Sequence, residues 1–120
     1  MELYTQAQLK QLLENGQAAA AVRTGQQEED LTRRPVVKWF TPFSAATWLI
    51  SEVDPEDHDI AFGLADLGVG CPELGSIYIP EVMALKGPMG LRVERDLYFQ
   101  PDRSLVDYAS QAQLAGSIAA

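Results

Sequence analysis

Eight carboxylates stand in a stretch of this chain that has no basic residue. Between Lys38 and Lys86, residues 39–85 carry Glu52, Asp54, Glu56, Asp57, Asp59, Asp66, Glu73 and Glu81 and neither Lys nor Arg. Carboxylate oxygens are the ordinary ligands of Mg²⁺ and Ca²⁺, and carboxylates converging on a metal can cleave phosphodiesters. Asp54, Glu56 and Asp59 alternate within one turn and are candidate metal ligands. The turn lacks the twelve-residue calcium loop with its central Gly and terminal Glu. For a metal-dependent enzyme acting on nucleic acid or nucleotides, Glu52, Asp54 and Asp66 would hold the metal and Arg95 would stabilise phosphate charge. In an antiparallel meander, Glu52 and Asp66 need not be neighbours.

Other chemistry is sparse. One Cys (Cys71) and one His (His58) cannot make a usual zinc site. A Cys–His nucleophile pair would require two loops on opposite sides of one strand to meet. The spacing of Gly63, Gly68 and Gly70 matches neither a dinucleotide fingerprint nor a Walker loop, so no cofactor is expected. Arg95 alternates with Leu91, Val93, Leu97 and Phe99, and a charge in an apolar row needs a carboxylate. Glu52 and Asp66 are its expected partners. Trp39 and Trp48, with Phe40 and Phe43 close by, could stack single-stranded bases on an open sheet, but strand aromatics are more often core.

The elements that must position these residues follow from periodicity. Thr5 and Gln8 form a capping-box pattern ahead of Leu9, Leu12 and Leu13, which predicts a helix over 5–15. Asn15-Gly16 reads as its left-handed end. The Ala18–Val22 run either prolongs it or makes a second short helix, so residues 1–22 are the N-terminal helical region. Residues 23–34 are a polar loop. A sheet core then occupies 36–101, with strands at 36–41, 47–53, 60–66, 74–79 and 91–99. The face of Trp48, Ile50 and Glu52 is expected to be shared. The small residues Ala61, Gly63 and Ala65 imply a close neighbour. Pro80 opens a short helix over 81–85, a further helix is expected over 104–113, and residues 114–120 are expected to fray. The reading is a single α+β domain around a mostly antiparallel sheet of about five strands.

Composition narrows the class. The chain of 120 residues has a net charge of −8, which suits one domain with its own core. Outside 39–85 there are nine basic and nine acidic residues, so the flanks are neutral and the middle holds the whole excess. Such a field repels phosphate backbones and argues against nucleic acid as a direct high-affinity ligand. It suits a basic protein partner. The lone Cys fits a reducing compartment. No apolar run approaches the roughly 18 residues of a membrane span, and MELYTQAQLK does not read as a secretory signal. A cytoplasmic protein with no membrane association is expected. The sequence carries no signal of oligomeric state.

Five segments taken in order resemble a known family. They are KWFTP (38–42), TWLISEVDPED (47–57), FGLAD (62–66), PELGSIYIPEV (72–82) and GPMGLRVERDLYFQP (87–101). Together they resemble the bacterial domain-of-unknown-function family 2958, with the GP-x-GL-x-VERD-x-x-F-x-P string the most specific part. The polar 23–34 segment, the Ala-rich 18–22 run and the alanine-rich C-terminus depart from its usual pattern. The resemblance implies a small protein often carried on plasmids and other mobile elements, and it brings no catalytic residues. The expectation is a non-enzymatic accessory or protein-interaction module linked to mobile-element or DNA transactions. The metal-dependent enzyme above is the alternative, and base binding through Trp39 and Trp48 is a third reading.

Overall fold

A capping box opens the first element. Thr5 Oγ1 accepts the Gln8 N–H at 3.1 Å, and Gln8 Oε1 accepts the Thr5 N–H at 2.8 Å. Two otherwise orphaned donors are satisfied. In the computed structural model, which describes all 120 residues, helix α1 then spans Gln6–Arg23. The expected end at Asn15-Gly16 is therefore corrected: the helix runs through both residues, and the alanine run prolongs it. Gly16 is buried because it lies where the helix touches a strand. A Cβ there would run into the Val53 carbonyl oxygen.

The strands are β1 (Val37–Phe40), β2 (Thr47–Val53), β3 (Ile60–Asp66), β4 (Glu73–Tyr78) and β5 (Glu94–Arg95). They form one sheet in the order β4-β3-β2-β1-β5, with every neighbouring pair antiparallel. Helix α2 (Ile79–Ala84) follows β4, with Pro in its first turn, and α3 (Leu105–Ala115) closes the chain. This is the α+β architecture that the period-two runs imply. No helix is long and apolar enough to cross a membrane.

Two cores hold the layers. On one face, Trp39, Trp48, Ile50, Val53 and Ala61 pack with Leu12 of α1 and with Ile79 and Val82 of α2. On the other, Leu49 and Leu64 pack with Leu105, Tyr108, Ala109 and Ala112 of α3. Each large side chain so buried contributes about 2 kcal/mol. The close neighbour expected of the small residues in β3 is found at Gly63, where a Cβ would strike the Leu49 carbonyl oxygen.

Two strand expectations change. The β2–β3 register shifts between Ile50 and Glu52, leaving Ser51 as the extra residue of a β-bulge. Val53 thereby joins Trp48 and Ile50 in the first core, and Glu52 stands opposite Phe62. Glu52 does not share the Trp48 face. The fifth strand, expected over 91–99, shrinks to two residues paired with Trp39 and Phe40. Its partner β1 is only four residues long. Past Arg95, Asp96 Oδ1 accepts the Tyr98 N–H at 2.9 Å and turns the chain away. Leu91 and Leu97 are left exposed.

Helix α3 is capped by Ser104, whose side chain accepts the Asp107 N–H, and ends at left-handed Gly116. The residues after it, expected to fray, carry two anchors. The Ile118 N–H donates to Asp66 Oδ2 at 3.0 Å, and Lys38 Nζ donates to the Ala120 carbonyl.

Candidate functional site

The sequence candidates are scattered over the fold. Asp66 pairs with Thr47 at one end of β3, whereas Glu52 lies opposite Phe62 towards the other. Four residues of strand, about 13 Å, separate Phe62 from Asp66. Asp66 is 3 % exposed, and its oxygens accept the Gly68 and Ile118 N–H groups at 2.9 and 3.0 Å. Both lone-pair sets serve the fold. Arg95 reaches neither expected carboxylate; its guanidinium donates to the Glu2 carbonyl at 2.9 Å. With β5 so short, the side chain meets the N-terminal segment instead. Trp39 is fully buried and donates its indole N–H to the Leu3 carbonyl at 2.6 Å, and Trp48 is 3 % exposed. These rings are core and offer no stacking platform. Cys71 and His58 lie beyond opposite ends of β3, a seven-residue strand of roughly 20 Å.

In the β2–β3 turn, Asp54 Oδ1 accepts the Glu56 N–H at 2.8 Å and Asp57 Oδ1 accepts the Asp59 N–H at 3.0 Å. The backbone thus claims two of the four carboxylates. No three His, Cys, Asp or Glu side chains gather as a metal ion would require.

What the fold does assemble is a cleft around Glu52. β1 pairs with β2 only as far as Val37 opposite Ile50. Beyond that point α1 takes the place of a strand. Asn15 Nδ2 donates to the Ser51 carbonyl at 2.8 Å, and Gly16 lies against the Val53 carbonyl. The first half of α1 thus buries Leu12 in the core, and the second half carries Ala19, Val22 and Arg23 to a wall opposite α3. Two adjoining hollows result, of about 270 and 350 Å³. Both are lined by Ala19, Arg23, Glu52 and Phe62. The first adds Leu74, Leu105, Val106 and loop residues Glu29, Asp30, Leu31 and Arg33. The second opens past Ser76 and Asp54. The loop is tied to α3, since the Leu105 N–H donates to the Arg33 carbonyl at 2.9 Å.

Glu52 is the chemically unusual group. Its Oε2 is buried and no donor of the chain reaches it. Burial pushes its carboxyl above the ordinary value; the charges of Arg33 and Arg23 oppose that rise, and Asp54 adds to it. Neither arginine comes within ion-pair distance, for the ion pairs of the chain are Lys38–Asp96 and Arg103–Asp102. The arrangement can accept a hydrogen bond from a bound group at the floor of a partly apolar cleft.

Glu52 and Asp54 were sequence candidates, and the fold brings them together. Arg23, Arg33, Phe62 and Leu74 were not. Arg23 arrives only because α1 ignores its apparent stop signal. Alternation places Phe62 and Leu64 on one face of β3, which was a usable signal for Phe62.

Neither a curated protein nor a solved structure matches the chain. The family described as "Protein of unknown function (DUF2958)" matches residues 3–119, nearly the whole length, and the chain belongs to that family.

Proposed function

We propose that this protein is a non-enzymatic accessory module of the bacterial cytoplasm, linked to mobile-element or DNA transactions, which meets a basic protein partner through the acidic end of its sheet. One observation carries the reading. None of the eight acids of residues 39–85 is in an ion pair, and Asp54, Glu56, Asp57 and Asp59 are gathered in the single β2–β3 turn. Four unneutralised carboxylates in six residues repel one another and attract cations, which speeds and orients encounter with a basic surface. The link to mobile elements rests on the genomic habit that the family resemblance implies. The metal-dependent alternative needs Glu52, Asp54 and Asp66 to converge, and the strand register separates Asp66 from the other two.

The test is fluorescence anisotropy of a labelled Lys/Arg-rich peptide. Saturable binding that weakens with salt is expected. It should be lost when Asp54, Glu56, Asp57 and Asp59 are all changed to Lys. It should persist when the exposed Glu2, Glu14, Glu28 and Glu73 are changed instead, an equal change of net charge. Equal losses in the two variants would show that only net charge matters and would refute the local site. A labelled oligonucleotide should not bind.

A further inference from the structure

We infer that the Glu52 cleft is a socket for one long basic side chain, an arginine or lysine of the basic partner. The inference rests on the reading above and adds a specific pocket to it.

The floor of the cleft offers an acceptor and lacks a donor. Glu52 lines both hollows and no donor of the chain bonds its carboxylate, and an ionised carboxylate can only accept. Leaving it so is costly, and an incoming N–H relieves the cost. Arg23 and Arg33 line the same cleft and stop short of it. The surrounding charge selects the sign of the guest. Glu29, Asp30, Glu52 and Asp54 outnumber the two arginines, so the lining favours a cation over an anion. The walls select its shape. Val22, Phe62, Leu74 and Leu105 give an apolar channel, which suits the methylene stem of Lys or Arg with its charged head at Glu52. The second hollow runs to Asp54, the first acid of the turn. A basic segment lying on the turn could therefore send one side chain into the cleft while its other charges meet Glu56, Asp57 and Asp59.

The probes are Nα-acetyl-arginine amide and Nα-acetyl-lysine amide, titrated into the isotope-labelled full chain and followed by backbone amide shifts. Nα-acetyl-norleucine amide supplies the stem without the charge. Saturating shifts at Glu52, Phe62 and Arg23 are expected with one or both basic probes, at about millimolar affinity, and none with norleucine. Which probe saturates first tells whether the socket takes guanidinium or ammonium. Glu52→Gln keeps the shape and removes the charge, and should weaken both the probe and the basic peptide roughly tenfold. Leu74→Lys places a tethered ammonium at the mouth of the cleft and should block the probes. The socket is overturned if neither basic probe shifts these amides, or if Glu52→Gln binds the peptide as tightly as the native chain. If the turn variant loses the peptide while Glu52→Gln keeps it, the socket fails and the acidic-end reading stands. If the basic probes fill the cleft but no basic peptide binds, the socket stands and the acidic-end reading fails.

Discussion

Replacing Gly16 by Ala should destabilise the protein even though it improves the helix. Alanine is favoured over glycine inside a helix by about 1 kcal/mol, so an isolated α1 would gain. In the fold, the new Cβ would run into the Val53 carbonyl oxygen and stand 3.0 Å from the carbonyl carbon and 3.1 Å from Pro55 Cδ. Both obstacles are backbone or ring atoms that cannot rotate away, so α1 must lift from β2 by about 1 Å. The Asn15 Nδ2 bond to the Ser51 carbonyl, now 2.8 Å, would stretch past its useful limit of about 3.5 Å. Ser51 is buried, so its carbonyl would lose a partner at a cost of about 1–3 kcal/mol. Overpacking adds a similar amount. Net destabilisation of about 1–5 kcal/mol is expected, or a fall in Tm of roughly 4–20 °C. Urea unfolding followed by tryptophan emission is the assay, since Trp39 and Trp48 are both in the core that α1 covers. The control is Ala18→Gly, which should cost only the propensity difference of about 1 kcal/mol. Gly16→Ala proving as stable as the native chain would refute the close approach of α1 to β2, and with it the origin of the cleft wall.

Four further outcomes are expected. Glu52→Gln should raise stability at neutral pH, because the folded-state carboxyl is raised and its ionised form disfavours the fold. That advantage should shrink as pH falls through the raised value, which paired urea curves across pH would show. Asp66→Asn turns an amide N–H towards an existing N–H donor and should cost about 1.5–3 kcal/mol, with hydrogen exchange at the Ile118 amide rising first. Trp39→Phe removes the indole bond to the Leu3 carbonyl and should cost about 1–3 kcal/mol by thermal unfolding; oligonucleotide should leave the native tryptophan emission unchanged. The hydrogen bonds from Arg103 and then Tyr108 hold the Asp102 carboxyl down to about 2; its stabilising share is therefore present above the ordinary carboxylate range and lost as pH falls towards 2. Carboxyl carbon shifts should report that midpoint, and Arg103→Gln should raise it.

Local chemistry made part of the fold legible. The capping box at Thr5 and Gln8, the seven-residue strands Thr47–Val53 and Ile60–Asp66, and the last helix each depend on residues within a few positions of one another. The misreadings all involve a distant partner. Asn15-Gly16 has the composition of a helix end, yet both residues meet β2, nearly forty positions away. The apolar alternation of 91–99 is a good strand pattern, but β1 is its one neighbour in the sheet and offers it only Trp39 and Phe40 to pair with. Arg95 was matched to carboxylates by charge alone, while its partner is a backbone carbonyl of Glu2. As a site the cleft was legible only in Glu52 and Asp54; Phe62, Leu74 and Leu105 lie on expected elements, but what sets them opposite Arg23 and the loop is the unbroken run of α1 past Asn15-Gly16.

The bulge at Ser51 decides what Glu52 can do. Under strict alternation, Glu52 would follow Trp48 and Ile50 into the core beneath α1. A carboxylate there would be desolvated with no donor at hand, and a buried charge without a partner is costly enough to be driven to its neutral form. One extra residue exchanges Glu52 for Val53 at that place. The core gains an aliphatic side chain, and the carboxylate moves to the wall of a cleft, with one oxygen buried and without a donor. The same bulge leaves the Ser51 carbonyl for Asn15 to satisfy, which fixes α1 across the edge of β2 and carries Arg23 to the opposite wall. Core packing, helix placement and the carboxylate in the cleft wall thus follow from one irregularity. A substitution that straightened β2 would disturb all three together.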